Sequence, residues 1–420
     1  MRRRSFLGAA ATTVIAGTTT AAHASTPPRP RERWVGTWTS MPQLTEPHNM
    51  PPAPFTQDGL VLADATLRQT VRVTIGGRRM RLRFSNAFGG ATLPITAVTV
   101  ALPAGGRAGV SAVEPGTTRG VTFNGQSSVD TSPGALVLSD PLDFPLKAGT
   151  NLTVTTYLAT GQASNDVTSH PGSRTTSHLL AGNHVDAADL PGATPTDHWY
   201  FLSGVEVLGG GPAVVVIGDS LTDGRGSTTN GNDRWPDRLS DRLRADRRTA
   251  GVAVLNQAAG GNRVLENGLG PSVLARLDRD LLAQSRVEWL ILFEGVNDIG
   301  TAAADQAAQQ RIADRLIAGY QQVLDRAQAH DVLVYGATLL PFGASFYDDP
   351  GGFRETARQA VNRWIRTSRR FDAVLDFDAA VRDPATPRQL LPAFDVGDHL
   401  HLNPTGYRAL AEAVPTRLFG

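Results

Sequence analysis

The 420-residue chain contains no cysteine. Disulfides, thiolate metal sites and cysteine nucleophiles are excluded together. Nor is there an excess of charge. Forty basic side chains against 39 acidic ones leave a formal net charge of +1, so nothing points to nucleic acid or to an anionic membrane surface as a partner. Nearly all the basic residues are arginine, scattered along the chain as solvated, ion-pairing surface is. Beyond the N-terminus no run is apolar enough to span a bilayer, so stable membrane insertion is not expected. No internal repeat is visible. What is present is length and apolar content. The chain is too long for one ordinary domain, and 41% hydrophobic residues are enough for real cores.

The N-terminus reads as a targeting segment. Arg2-Arg3-Arg4-Ser5-Phe6-Leu7 precedes an Ala/Thr/Val/Ile stretch, and Ala22-His23-Ala24 forms an A-x-A cleavage site. The apolar stretch is short and weakly hydrophobic, as in an export signal rather than a membrane span. With an ordinary secretory signal as the alternative, the paired arginines before Phe-Leu predict the twin-arginine type. That route exports a chain already folded, in keeping with the missing cysteines. The expectation is a signal peptide at 1–24, a flexible Pro-rich leader at 25–33 and a secreted protein.

From Trp34 the pattern is β. Leu67, Gln69, Val71, Val73 and Ile75 alternate with Arg68, Thr70, Arg72 and Thr74; after Gly76-Gly77, Met80, Leu82 and Phe84 alternate with Arg79, Arg81 and Arg83. Period-2 alternation around Gly-Gly predicts a hairpin with one buried face. Further short β runs at 95–102, 120–123, 135–138 and 152–158 predict an antiparallel, jelly-roll-like β-sandwich over 34–208. Gly209-Gly210-Gly211-Pro212 marks a boundary. Strands at 214–217, 252–255, 289–293, 332–336 and 373–377 then alternate with helices at 235–245, 272–283, 304–329, 353–367 and 405–414. This predicts a parallel α/β domain over 212–420, with helices on both faces of the sheet.

Four short segments stand at the ends of those strands or beside the last helix, where catalytic loops belong in open α/β sheets. They are Gly218-Asp219-Ser220-Leu221, Asn256 through Asn262, Gly295-Val296-Asn297-Asp298, and Asp398 through Pro404. Ser220 has the chemistry of a nucleophile, His401 of its base, and Asp398, three residues earlier, of the group that orients the ring. The backbone N–H groups of Ser220 and Gly261 and the side-chain amide of Asn297 supply donors for an oxyanion. Each segment alone has a plain reading. Gly-Asp-Ser is a turn, Asn297-Asp298 a helix cap, Gly260-Gly261 a loop, and Asp-x-x-His a surface motif. Their order and shared position make the combination informative.

As a set, Ser220, Gly261, Asn297 and His401 resemble the four blocks of the SGNH (GDSL-type) hydrolase family, over roughly Gly211 to Phe419. The resemblance implies a flavodoxin-like α/β/α sandwich and a metal-free ester hydrolase without cofactor. It implies Ser220, His401 and Asp398 as the triad, and Ser220, Gly261 and Asn297 as the oxyanion hole. Gly261 is preferred to Gly260 because it follows Asn256 by five residues, the family spacing. The first half, with Trp34-Val35-Gly36-Thr37-Trp38 and Leu82 through Gly89, is similar to the β-rich accessory domain of a branch that resembles secreted acetylxylan esterases.

Other candidates have competing readings. His399 is the rival base, but it adjoins Asp398 and the two side chains diverge in an extended segment. Asp219 and Asp298 either tune the site or serve the turn and the cap. Glu294 either lines the cleft or pairs with an arginine. His170, His178, His184 and His198 fit no closed zinc spacing and read as structural or surface residues. Trp34 and Trp38 read as packing. The functional expectation is a secreted serine ester hydrolase that deacetylates a carbohydrate, with a small-molecule or polysaccharide ester as partner. A lipase on long-chain esters and a catalytically inactive glycan-binding protein are the alternatives. The sequence does not set the oligomeric state.

Overall fold

Apolar–polar alternation through the first half builds antiparallel sheets. The computed structural model describes residues 33–420; the expected signal peptide and the leader up to residue 32 lie outside the described residues. One sheet joins Trp34–Thr39, Leu202–Leu208 and Gly77–Ser85, and the last of these also pairs Leu136–Leu138 and Leu142–Leu146. The other runs, in spatial order, Thr194–Thr196, Ser177–Ala181, Ala65–Arg72, Asn151–Leu158, Ala97–Ala101, Arg119–Val121. Val35, Leu82, Phe84 and Val205 of the first share one buried core with Leu67, Val71, Val98 and Val154 of the second. Two sheets burying their inner faces against each other is the sandwich the alternation predicts.

The predicted hairpin at Gly76-Gly77 does not form. Ala65–Arg72 pairs with Asn151–Leu158 and Ser177–Ala181, whereas Gly77–Ser85 lies in the other sheet. Period 2 identifies strands but not partners, and here the chain crosses between sheets. Ala65–Arg72 is also buried on both faces. Arg68, read as facing solvent, spends its guanidinium on Thr155 Oγ1 at 2.9 Å and the Ala187 carbonyl at 2.7 Å. A small third sheet, Trp199–Tyr200, Thr168–His170 and Gln43–Leu44 in spatial order, has strands too short for any periodic signal.

The second half is a five-stranded parallel sheet. Its strands are β1 (Ala213–Gly218), β2 (Ala253–Asn256), β3 (Val287–Phe293), β4 (Leu333–Ala337) and β5 (Ala373–Leu375), in the spatial order β2-β1-β3-β4-β5. This is the flavodoxin-like order, whose switch point lies between β1 and β3. The sequence order of helices is α1 (Ser220–Asp223), α2 (Trp235–Ala245), α3 (Val273–Leu277), α4 (Val296–Thr301), α5 (Gln306–Gln328), α6 (Phe353–Thr367), α7 (Phe377–Val381) and α8 (Pro404–Ala413). Helices α2 and α8 pack together, joined by Arg242 Nη1 donating to the Val414 carbonyl at 2.7 Å. Helices α5 and α6 form the other pair, with Tyr320 stacked on Trp364.

The predicted helix at 272–283 is interrupted: after α3 the chain continues as a π-helical turn, Asp278–Leu282. Buried Arg276 lies in that region and reaches the Gln257 carbonyl at 2.6 Å and Asp280 at 3.1 Å. Helices α1, α4 and α7 are too short for a periodic signal, and none of them is anticipated by the sequence pattern.

The two halves touch extensively. Arg83 Nη1 donates to Gln284 Oε1 at 2.8 Å, Ser285 Oγ to Glu206 Oε1 at 2.9 Å, and Arg72 pairs with Asp241 at 2.7 Å. Residues 33–420 form one compact unit. Among the described residues no helix is long and apolar enough to cross a membrane.

Candidate active site

Ser220 stands where β1 ends. All six residues of β1 are buried, and Asp219 stops the strand by capping α1, its carboxylate accepting from the Leu221 N–H at 2.9 Å. This places Ser220 as the first residue of α1, at the switch point of the sheet. Its Oγ lies 2.8 Å from His401 Nε2. His401 Nδ1 lies 2.6 Å from Asp398 Oδ2, and the His401 backbone N–H donates to Asp398 Oδ1 at 2.8 Å. One carboxylate thereby fixes both the ring and its backbone just before α8. His399 turns away: its Nδ1 is 2.7 Å from Asp395, and it does not meet Ser220.

Gly261 follows β2 with φ +71°, and a Cβ there would come within 2.5 Å of the Leu269 side chain. Neighbouring Gly260 has neither constraint. Asn297 sits in the first turn of α4, whose N-cap is Gly295 rather than Asn297 or Asp298. Asn297 Nδ2 donates to the Asn262 carbonyl at 2.8 Å, while Oδ1 is 3.0 Å from the Tyr347 hydroxyl. A carbonyl only accepts, so the amide orientation is settled and one Nδ2 hydrogen stays uncommitted. Among the described residues, the backbone N–H groups of Ser220 and Gly261 are likewise in no internal hydrogen bond. Ser220, Gly261, Asn297 and His401 all line one cavity of about 420 Å³.

Nine of the 21 residues lining that cavity come from the antiparallel half of the chain. Gln43, Glu46, His48, Asn49, Arg174 and His198 line it there. Sequence reasoning missed this wall. His170, read as a structural or surface histidine, is buried and lines the cleft, its Nε2 3.0 Å from Asp223 Oδ1. The other three histidines are each tied to a backbone carbonyl: His178 to Gly109, His184 to Ala181 and His198 to Pro171. Trp38 packs edge-on against Trp199, and Trp199 stacks on His170. Trp38 thus packs, as its reading expects, and through Trp199 it buttresses the cleft from behind. Trp34 lies apart, beneath the Arg81 guanidinium.

Residues 216–409 match the family model described as the GDSL-like Lipase/Acylhydrolase family. The second half of the chain is a GDSL-type ester-hydrolase domain. Similar solved structures include the acetylxylan esterase Axe2 of Geobacillus stearothermophilus, at 22% identity and TM-score 0.37, over 49% of this chain and 93% of that one. A G-D-S-L family structure from Desulfitobacterium hafniense DCB-2, at 19% identity and TM-score 0.37, covers 49% of this chain and 98% of that one. No curated protein sequence gives a significant match.

The electrostatics of the GDSL domain set its protonation states. Burial pushes the His401 pKa below the usual histidine value, and the Arg225 and Arg174 charges push the same way against Asp398. The ring is therefore neutral at neutral pH, as a base must be. Burial opposes the Asp398 charge, but the His401 backbone N–H, the His401 ring and the Leu400 N–H outweigh it and hold the carboxyl below the ordinary range.

Beneath the site lie three buried acids. Burial, reinforced by Asp298 and Asp223, pushes Asp219 up to about 7. Asp298 rises to about 6 through burial, against the N–H groups of Val264 and Leu265. Those two bonds, at 2.9 and 3.1 Å, tie α4 to the loop after Gly261, so Asp298 is a loop anchor rather than a helix cap. Glu294 is raised well above its usual range by burial and by Asp219, with Arg276 opposing at 4.0 Å. It lies beneath the cleft and does not line it.

Proposed function

We propose that this ester hydrolase is secreted and removes acyl groups, acetyl above all, from a carbohydrate, with Ser220, His401 and Asp398 as its triad. The observation that carries the reading is the unbroken chain from Ser220 Oγ to His401 Nε2 at 2.8 Å and from His401 Nδ1 to Asp398 Oδ2 at 2.6 Å. Secretion rests on the paired arginines and the Ala22-His23-Ala24 site. In the proposed reaction Ser220 Oγ attacks the ester carbonyl while its proton passes to His401 Nε2. The carbonyl oxygen becomes an oxyanion among the Ser220 and Gly261 N–H groups and the free hydrogen of Asn297 Nδ2. The ester C–O bond breaks as His401 returns the proton to the departing alcohol oxygen. Water, activated by His401 in turn, then cleaves the acyl-serine and releases the acid.

A polar second wall (Gln43, Glu46, His48, Asn49, His170 and His198) suits a hydroxyl-rich substrate better than an alkyl chain. The lipase reading keeps one observation in its favour, because Leu269 and Phe346 line the same cleft and are exposed. Initial rates on p-nitrophenyl esters from acetate to palmitate separate the two: the carbohydrate reading requires acetate to be fastest. Ser220→Ala is expected to lower kcat/KM on p-nitrophenyl acetate by at least about 1,000-fold with an unchanged melting temperature. Retained activity in that variant would sink the triad, and a folded wild-type chain that a fluorophosphonate fails to label would favour the inactive binding protein.

A further inference from the structure

The cleft holds a second hydrogen-bonded pair that the proposed chemistry does not use. His170 and Asp223 are both buried and both line the cavity that contains Ser220. Asp223 follows Ser220 by three residues on α1, which puts the two side chains on one face of the helix. His170 arrives from the opposite wall. Its Nε2 is 3.0 Å from Asp223 Oδ1 and its Nδ1 3.0 Å from the Met41 carbonyl. Trp199 stacks on the ring at 5.7 Å, so the pair is held firmly.

Proton bookkeeping fixes what the pair presents. The Met41 carbonyl only accepts, so His170 Nδ1 carries a hydrogen. The Nε2–Oδ1 bond needs one more proton, resting either on the ring or on the carboxyl. In the first case Asp223 is a carboxylate beside an imidazolium; in the second it is an acid donating through Oδ1 to a neutral ring. In both, Asp223 Oδ2 has only lone pairs to offer. That atom is buried and has no hydrogen-bond partner. A Cβ on Gly172 would stand 1.7 Å from it and one on Gly260 3.7 Å, and both glycines line the cavity. The oxygen lies against the bare backbone of Gly172, with Gly260 beside it, one turn of helix from the nucleophile. A buried acceptor left unpaired is unfavourable, and a ligand that brings a donor relieves it.

We propose that Asp223 Oδ2 accepts a hydrogen bond from a free hydroxyl on the alcohol part of the substrate, beside the ester that Ser220 attacks, so that the preferred substrates are esters of polyhydroxy alcohols. The proposal rests on the Ser220 reading and narrows its substrate class. Asp223 is then a binding residue for the alcohol, and His170, acting through it, a positioning residue.

The test compares 2-hydroxyethyl acetate with ethyl acetate, which differ by one hydroxyl next to the ester. Acetate release gives kcat/KM for each, normalised to the two rates of alkaline hydrolysis. The wild type is expected to favour the hydroxyl-bearing ester by about 10-fold or more, the usual effect of a hydrogen bond to a charged group. Asp223→Ala is expected to erase that preference. Asp223→Asn is expected to keep most of it, because its amide can donate to His170 and leave an oxygen facing the cleft. A wild type without the preference overturns the proposal whether or not the variants fold. So does an Asp223→Ala protein that retains the preference, or a folded Asp223→Asn protein that loses it as fully as the alanine variant. A wild type inactive even on p-nitrophenyl acetate removes the esterase chemistry beneath both readings, whereas activity without the preference leaves that chemistry standing.

Discussion

The cleft has two walls built in opposite ways. On the α/β wall, Ser220, Gly261 and Asn297 each lie within five residues of the end of a parallel strand, and one sheet sets their mutual positions. On the antiparallel wall, Gln43, His170 and His198 come from distant stretches gathered by strands of two or three residues and by packing. In the proposed reaction the first wall carries the groups with which bonds are made and broken; the second carries polar groups that line the same space. On the proposed reading, the reacting groups are placed by strand ends of one parallel sheet, while the wall that would select a substrate is placed by tertiary contact.

The contrast breaks most sharply where one group on the α/β wall is removed. Asn297→Ala is expected to lower kcat on p-nitrophenyl acetate by about 100- to 1,000-fold, the usual effect of deleting one oxyanion donor. Tyr347→Phe, which loosens the Asn297 amide without removing it, is expected to cost less. A single-turnover assay reads both. An Asn297→Ala effect below about 10-fold would remove the amide from the proposed oxyanion site.

Acidity compares the two walls directly. Arg225 lies on the α/β wall and Arg174 on the other, and both lower the His401 pKa, Arg225 more. In the proposed reaction His401 acts as base only when neutral, so kcat/KM is expected to fall as pH drops through its pKa. Because burial and both arginines depress that pKa, the midpoint of the acid limb is expected below the ordinary histidine value of 6.5, with tenfold loss per pH unit beneath it. Arg225→Gln and Arg174→Gln each remove a repulsion, so each is expected to move the midpoint upward, the first by more. A pH profile of kcat/KM on p-nitrophenyl acetate checks the sign and the order; a downward shift in either variant would contradict the electrostatics of the cleft.

How much of this was legible in the sequence follows the same division. The parallel sheet and the residues at its strand ends were readable, because strand-end position is a local property and four local signals fell in order. Asp398 and His401, three apart in one turn, were readable for the same reason. The family spacing points to Gly261 rather than Gly260 as the oxyanion donor, and the positive φ and the closeness of Leu269 explain why that position requires glycine. The antiparallel wall was not readable. Alternation located Ala65–Arg72 and Gly77–Ser85 but not their partners, since pairing is decided by the whole sandwich. His170 gave no local sign, because Asp223, 53 residues away, gives it its place. For Asp298 the sequence leaves site tuning and helix capping open; its partners are backbone groups of the Gly261 loop, which no pattern around residue 298 contains.

The smallest expected effect tests how far the antiparallel wall acts on the chemistry at all. Trp199 is buried, donates from Nε1 to the Thr70 carbonyl at 3.1 Å and stacks on His170. Trp199→Phe removes the donor and part of the ring but keeps an aromatic face. One lost hydrogen bond and a partly filled gap together cost about 1 to 3 kcal/mol, read as a lower melting temperature. The indole reaches Ser220 through His170, Asp223 and a turn of α1, so kcat on p-nitrophenyl acetate is expected to fall by no more than about threefold, since His170 and Asp223 take no part in the proposed acyl transfer. If the variant instead loses turnover on the scale of Asn297→Ala while remaining folded, the two walls are not separable. The sandwich would then be holding the nucleophile itself, and the division of labour drawn from the geometry would fail at its most distant point.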